Sequence, residues 1–203
     1  MIRDGRWSRA ARGAHFCEVH ADADTGEVPV ARMVGAFDVG RVINPKTAAS
    51  QLHGAVVMGV GMALSGQVLV DPRDGTTMSA GLDSYYVPVH VGIPQIDVTW
   101  VGEPDPTMPL GLMGLGEVGT AGVAAAVANA VFHATGRRIR DRPITLDKLI
   151  EAWPVSAAGA DSPRSGQRRR PPRWSAIRST VRVMCAVSWG RTQNRTRSTP
   201  AAA

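Results

Sequence analysis

The chain has 203 residues, 44% hydrophobic, 5% aromatic and 20% charged, with a formal net charge of +6, a size that suits one domain, or one domain and an appendage. Its two cysteines, Cys17 and Cys185, lie far apart without CxxC spacing, which excludes a zinc ribbon or a cysteine-held iron–sulfur cluster within this chain and is what a reducing compartment would show. The charge is uneven: residues 1–151 carry 13 basic and 16 acidic side chains, whereas 152–203 carry ten arginines and one acid, Asp161.

The start, Met1-Ile-Arg-Asp-Gly-Arg, leads into no apolar run, so no secretory signal is expected. Alternation over 15–34, with a turn at Asp24-Thr25-Gly26, predicts a β-hairpin. Gly40 and the Asn44-Pro45 pair mark a loop. Pro45 suits a helix start, and a helix is predicted over 46–65. The stretch 52–70 is apolar enough to raise a membrane question, but its glycines, His53, Ser65 and Gln67 favour a buried core helix. A second hairpin is expected from 67–71 and 76–78 around Asp74-Gly75. Residues 95–101 alternate cleanly and predict a strand. A Pro-rich loop (103–109) and a Gly-rich segment (111–122) precede a helix over 122–135, stopped by Gly136. Thr145 is a candidate cap for a last helix. This pattern predicts an α+β domain over 1–153. Residues 154–203, rich in arginine, proline and serine and free of lysine, are expected to be disordered. Their composition resembles that of GC-rich coding sequence read out of frame.

Two loop-to-helix junctions carry the chemistry. Gly111-Leu-Met-Gly-Leu-Gly-Glu-Val-Gly-Thr-Ala-Gly holds five glycines in twelve positions around a lone acid, Glu117. Such a segment suits a backbone that must pass close to a ligand, and N–H groups at a helix start attract anions. An ordinary helix start, with Glu117 in a favourable first turn, explains the spacing equally well. The match of 114–119 to GxGxxG does not make a dinucleotide site, because a Pro-rich loop stands where a strand should and about twenty residues on come Arg137-Arg138-Ile-Arg140, with no acid placed at a strand end to hold a ribose. At the second junction, Gly40-Arg-Val-Ile-Asn-Pro-Lys-Thr, a capped helix with solvated charges is the bland alternative. Gln51 lies one turn beyond Thr47 on the same face. His53 reads as a satisfied core histidine, and Met58 and Met62, among the glycines at 59 and 61, as close helix packing.

Taken together, Asp38-Val-Gly-Arg-Val-Ile-Asn-Pro, then Gln51-Leu-His-Gly with Met58-Gly-Val-Gly-Met-Ala, then the segment from Gly111 to Gly119, resemble the C-terminal part of the molybdenum-cofactor-binding large subunits of the xanthine dehydrogenase and aldehyde oxidase family. Ala14-His-Phe-Cys-Glu-Val, Met33-Val-Gly-Ala-Phe-Asp-Val-Gly and Ile144-Thr-Leu-Asp-Lys-Leu are similar to its bacterial aldehyde oxidoreductase branch. The resemblance runs from Gly13 to Glu151 and implies the C-terminal portion of that family's molybdopterin-binding domain. It aligns Glu117 with the family's catalytic base, a role a buried carboxylate suits. It aligns Arg41, Val42, Ile43, Asn44, Pro45, Lys46, Thr47 and Gln51 with cofactor contacts. Met113, Gly114, Leu115 and Gly116 fall on the loop that wraps the pterin and metal, with Met113 where the family usually has lysine. The implied cofactor is molybdenum–molybdopterin, as the cytosine dinucleotide, and no residue here is expected to ligate the metal. The implied activity is hydroxylation of an aldehyde or N-heterocycle with water-derived oxygen. The implied partners are iron–sulfur and FAD subunits, in the cytoplasm, or in the periplasm if a partner bears the export signal; assembly with a separately encoded upstream half is a third alternative, and no membrane association is expected. The alternative is an inactive remnant whose arginine-rich tail binds nucleic acid nonspecifically, with steep salt dependence.

Overall fold

A computed structural model describes residues 11–22 and 25–150, and the backbone of 177–185. Strands β1 (Arg12–Asp22) and β2 (Val30–Asp38) form the expected hairpin, paired from Arg12↔Asp38 to Val19↔Val30 with a register shift between Glu18 and Val19. Helix α1 (Pro45–Leu64) then crosses over, and β3 (Gln95–Val101) lies parallel to β2, a pairing that no tight turn could make. Helices α2 (Val118–Ala121), α3 (Val123–Thr135) and α4 (Leu146–Ile150) follow, and β4 (Ile177–Cys185) pairs antiparallel with β1. The sheet order is β3-β2-β1-β4, with α3 over β1 and β4 and α1 over β3. This is an α+β arrangement, a sheet with helices packed on it.

The sheet's period of two sets the core. His15, Cys17, Val19 and Ala21 of β1 are buried, as are Met33 and Phe37 of β2. Burial pushes the Cys17 thiol up to about 12, so it stays protonated and inert near neutrality. Asn44 starts α1 by accepting hydrogen bonds from the amides of Lys46 (3.0 Å) and Thr47 (3.3 Å), while Pro45 occupies a position that needs no amide donor. Along α1, Ala48, Leu52, Val56, Val60 and Ala63 are buried, the stripe expected of an amphipathic helix. Gly59 lets α3 approach so closely that a β-carbon there would meet Val123 Cβ at 2.5 Å. By length and hydropathy α1 could cross a bilayer, but its aliphatic stripe lies in the core.

Several sequence expectations need correction. Residues 67–78 do fold back around Asp74-Gly75, with Asp71 N–H on the Thr76 carbonyl (2.8 Å) and Met78 N–H on the Leu69 carbonyl (2.7 Å), but the pairing is a single bridge, Val70↔Thr77, too short to make strands. The helix expected over 122–135 begins earlier and breaks at Gly122, giving α2 and α3, and Gly136 closes it in the left-handed conformation (φ 75°). Thr145 bonds the Asp147 carboxylate, lowering its pKa, just before α4. Within the segment expected to lack order, 177–185 is a strand. Its residues Ile-Arg-Ser-Thr-Val-Arg-Val-Met-Cys include four β-branched positions that favour extended backbone, and β1 supplies the pairing. Residues 154–176 and 186–203, also assigned to that tail, lie outside the described residues.

Candidate functional site

The loop after β2 and the Gly-rich segment are laced together by main-chain bonds. Arg41 N–H donates to the Gly111 carbonyl (2.9 Å) and Met113 N–H to the Val39 carbonyl (3.2 Å), flanking a bridge between Gly40 and Leu112. Gly40 has φ 66°, and a β-carbon on it would stand 2.5 Å from the Gly111 oxygen, so no other residue lets the two strands of this junction meet. Gly111 and the preceding Leu110 also hold positive φ, 71° and 58°, a strained pair of the kind that gathers at functional sites.

Below this junction lies a cleft of about 360 Å³ lined by Arg41, Val42, Ile43, Asn44, Thr47, Gln51, Leu112, Met113 and Leu115, among others. Leu115 and Val42 are anchored on the buried cluster of Phe37, Val39 and Leu52. Gly114 and Gly116 flank Leu115 with nothing within 4 Å of where a β-carbon would be. The loop is thus pinned by one leucine and bare on either side of it. Arg41 and Lys46 are exposed, with no ion-pair partner among the described residues. Pro45 opens α1 and does not line the cleft.

Gln51 joins this cleft to a larger one of about 870 Å³ between α1 and α2–α3. Its Nε2 donates to the Gly116 carbonyl (3.3 Å), and Gln51, Gly116 and Glu117 all line the second cleft. Thr120 Oγ1, one turn along, donates to the Ala55 carbonyl (3.1 Å), fixing α2 to α1. Glu117 caps α2 with its backbone only. Its carbonyl accepts from Thr120 N–H (3.0 Å), and its side chain makes no capping bond. The carboxylate therefore remains available to the cleft, with no hydrogen-bond or ion-pair partner among the described residues. It is exposed, which corrects the expected burial. The walls beside it (Gly54, Ala55, Ala121 and Ala124) are too small to cover it.

Sequence reasoning missed the walls of this second cleft. Met58 and Met62, expected to pack between helices, are 66% and 38% exposed and line the cleft with Arg142. They fall on the face of Gln51, at i+7 and i+11 from it along one stripe, and the glycines between them take the close packing instead. His53 is satisfied as expected, with Nδ1 2.7 Å from the Ala49 carbonyl, but it is half-buried at the edge of α1 and not in the core.

His15 was not singled out either. It is 1% exposed, edge-on to Phe37 with ring centroids 5.2 Å apart, and its Nδ1 has no partner among the described residues. Burial lowers its pKa from 6.5, offset in part by a hydrogen bond to the Val118 backbone. The native state therefore resists a proton that the unfolded chain accepts. Stability should fall as pH drops through the unfolded value of about 6.5 and level off below the lower native value. The aspartates with lowered pKa (Asp71, Asp74, Asp97, Asp147) act in a separate window below 3.8. Denaturant unfolding at pH 7.5 and 5.5 checks this; equal stability at both would show that His15 protonates freely in the native state.

Comparison with known proteins places this geometry. Residues 5–94 match the molybdopterin cofactor-binding domain. The chain is 46% identical over 149 residues to the aldehyde oxidoreductase molybdenum-binding subunit PaoC of Escherichia coli K12, a match covering 73% of this chain and 20% of that protein. The aldehyde oxidoreductase of Desulfovibrio gigas superposes with a TM-score of 0.62 at 33% identity, over 70% of this chain and 15% of that one. Quinoline 2-oxidoreductase of Pseudomonas putida 86 superposes with a TM-score of 0.63 at 28% identity, over 71% and 19%. The chain spans about a fifth of the length of PaoC. It belongs to the molybdopterin-binding subunits of the xanthine dehydrogenase and aldehyde oxidase family.

Proposed function

We propose that this chain forms the cofactor-facing C-terminal part of the catalytic subunit of a molybdenum hydroxylase, acting on aldehydes or N-heterocycles, with Glu117 as the general base. The bond from Gln51 Nε2 to the Gly116 carbonyl carries this reading. It draws the cationic start of α1, the bare glycine loop and the free carboxylate into one continuous wall.

The residues present fit a molybdenum–molybdopterin group. Arg41, which lines the smaller cleft, and Lys46, beside it at the start of α1 but outside that lining, are cations without an ion-pair partner among the described residues and suit its phosphates, and Gly114 and Gly116 leave their backbone open to close approach. Asn44, Thr47 and Gln51 offer polar groups, and Val42, Ile43, Met113 and Leu115 an apolar bed; we assign the cytosine dinucleotide form. When bound, the cofactor supplies two-electron redox chemistry and transfer of a water-derived oxygen. Glu117 Oε takes up the proton released in that transfer, and Gln51 and Thr120 hold the backbone on either side of it. Electrons leave through iron–sulfur and FAD partner subunits. The cleft is covered by the portion of the relatives' length that this chain does not match, in the same polypeptide or as a separately encoded upstream half. We place the assembly in the cytoplasm.

Co-purification of the chain with these partners, followed by elemental analysis, tests the reading. Molybdenum near one atom per chain and oxidation of an aromatic aldehyde or N-heterocycle are expected. An assembled complex free of molybdenum would end it.

A further inference from the structure

We infer that Arg142 anchors the far end of the substrate, and that this substrate is an aromatic aldehyde or N-heterocycle bearing a carboxylate on the side of the ring away from the reacting carbon. The inference rests on the reading of Glu117 as general base and adds to it the class of molecule that the larger cleft admits.

The site is ordered along α1. The residues assigned to the cofactor gather at its start, where Asn44 caps the helix and Thr47 lines the smaller cleft. Glu117 is held further along: the carbonyl just before it, on Gly116, accepts from Gln51 Nε2 (3.3 Å), and Thr120 Oγ1 donates to the Ala55 carbonyl (3.1 Å). Arg142 is tied to the other end. Ile144 N–H donates to the Ala63 carbonyl (2.7 Å), and Lys148 Nζ donates to the carbonyls on either side of Arg142, those of Asp141 (3.1 Å) and Pro143 (2.8 Å). Pro143 and Ile144 are buried, so the exposed arginine stands on a fixed stretch of main chain. The anchors at Ala55 and Ala63 are about 12 Å apart along the helix axis.

Glu117 and Arg142 both line the larger cleft, and among its described lining residues they are the one anion and the one cation. No ion pair joins them, and Arg142 has no hydrogen-bond or ion-pair partner among the described residues. Between their two levels on α1, Met58 and Met62 line the same cleft, and thioethers make favourable contacts with aromatic rings. Opposite them Ala121 and Ala124 leave room for a flat body. Once the rest of the subunit covers the cleft, a guanidinium without an anion is costly, and Glu117 has to stay unpaired to act as the base. Arg41 and Lys46, by the start of α1, are assigned to the cofactor's phosphates. The anion for Arg142 therefore comes from the substrate, and a carboxylate matches the guanidinium fork with two parallel bonds.

The molybdenum-loaded complex, assayed with 4-formylbenzoate and with its methyl ester, tests the anchor. Its kcat/KM should favour the acid by about 10–100-fold, the usual worth of a hydrogen bond to a charged group. In Arg142→Gln that ratio should fall to near one, through KM for the acid more than through kcat. Arg142→Lys, which keeps the charge but not the fork, should fall between the two. Melting should not move in either variant, because the guanidinium makes no described bond. Binding of 4-methylbenzoate, which has the carboxylate and no aldehyde, gives a readout apart from turnover. Calorimetry should show it bound by the parent complex and about tenfold or more weaker in Arg142→Gln. Equal kcat/KM for acid and ester in the parent complex, or a preference that survives Arg142→Gln, would overturn the proposal and leave the role of Glu117 standing. If turnover survives Glu117→Gln while 4-methylbenzoate binding still depends on Arg142, the base is lost and the anchor remains.

Discussion

Glu117→Gln is expected to lower turnover of the molybdenum-loaded enzyme by about 10²–10⁴-fold, the usual contribution of a positioned general base. The amide has the shape of the carboxylate but cannot take up the proton. Glu117 makes no capping bond through its side chain and has no partner among the described residues, so the change removes no described contact. Molybdenum content and unfolding midpoint should therefore match the parent protein. The loss should appear equally in kcat and kcat/KM, as for an interaction made only in the transition state. Parallel assays of molybdenum, melting and turnover separate the outcomes. Full turnover would remove Glu117 as the base. Loss of molybdenum along with turnover would make it a cofactor-holding residue instead.

The parts of this site legible in the sequence were those encoded locally. Asn44-Pro45 announced a helix start, and the structure shows the Asn44 side chain on the Lys46 and Thr47 amides. Alternation gave the β1–β2 hairpin and β3. What alternation could not give was that β3 lies parallel to β2, because register across a crossover depends on how α1 packs. The exposed face of α1 was misread for a related reason. Met58 and Met62 look like core residues by type, and only the phase set by Leu52, Val56 and Val60 turns them outward. His15 was invisible because its neighbours Val118 and Gly122 lie about a hundred residues away in the chain. Strand β4 was missed because the alternation of Ile177, Val181 and Val183 with Arg178 and Arg182 is short and lies in an arginine- and proline-rich stretch, and the strand it pairs with, β1, is far away in the chain.

Gly40→Val should both destabilise the chain and strip molybdenum from the assembled enzyme. At φ 66° a β-branched residue sits in a backbone region costing about 1–3 kcal/mol. The added β-carbon would also press on the Gly111 oxygen, 2.5 Å away. Relief requires the two loops to part, which breaks the bonds from Arg41 N–H to Gly111 and from Met113 N–H to Val39, each worth about 1 kcal/mol. The loss falls where it matters for binding. Arg41 and Met113 both line the smaller cleft, and Leu115 follows two residues later, so parting the loops moves the cation, the apolar bed and the bare glycines at once. Glu117 is held to α1 separately, through Gln51 and Thr120, and should keep its place. Thermal melting with elemental analysis therefore reads two effects, a lower midpoint and a molybdenum content well below one per chain. A Gly40→Val enzyme that melts normally and stays fully loaded would mean that this junction does not shape the cofactor's seat, and the binding roles given to Arg41 and Met113 would have to be withdrawn.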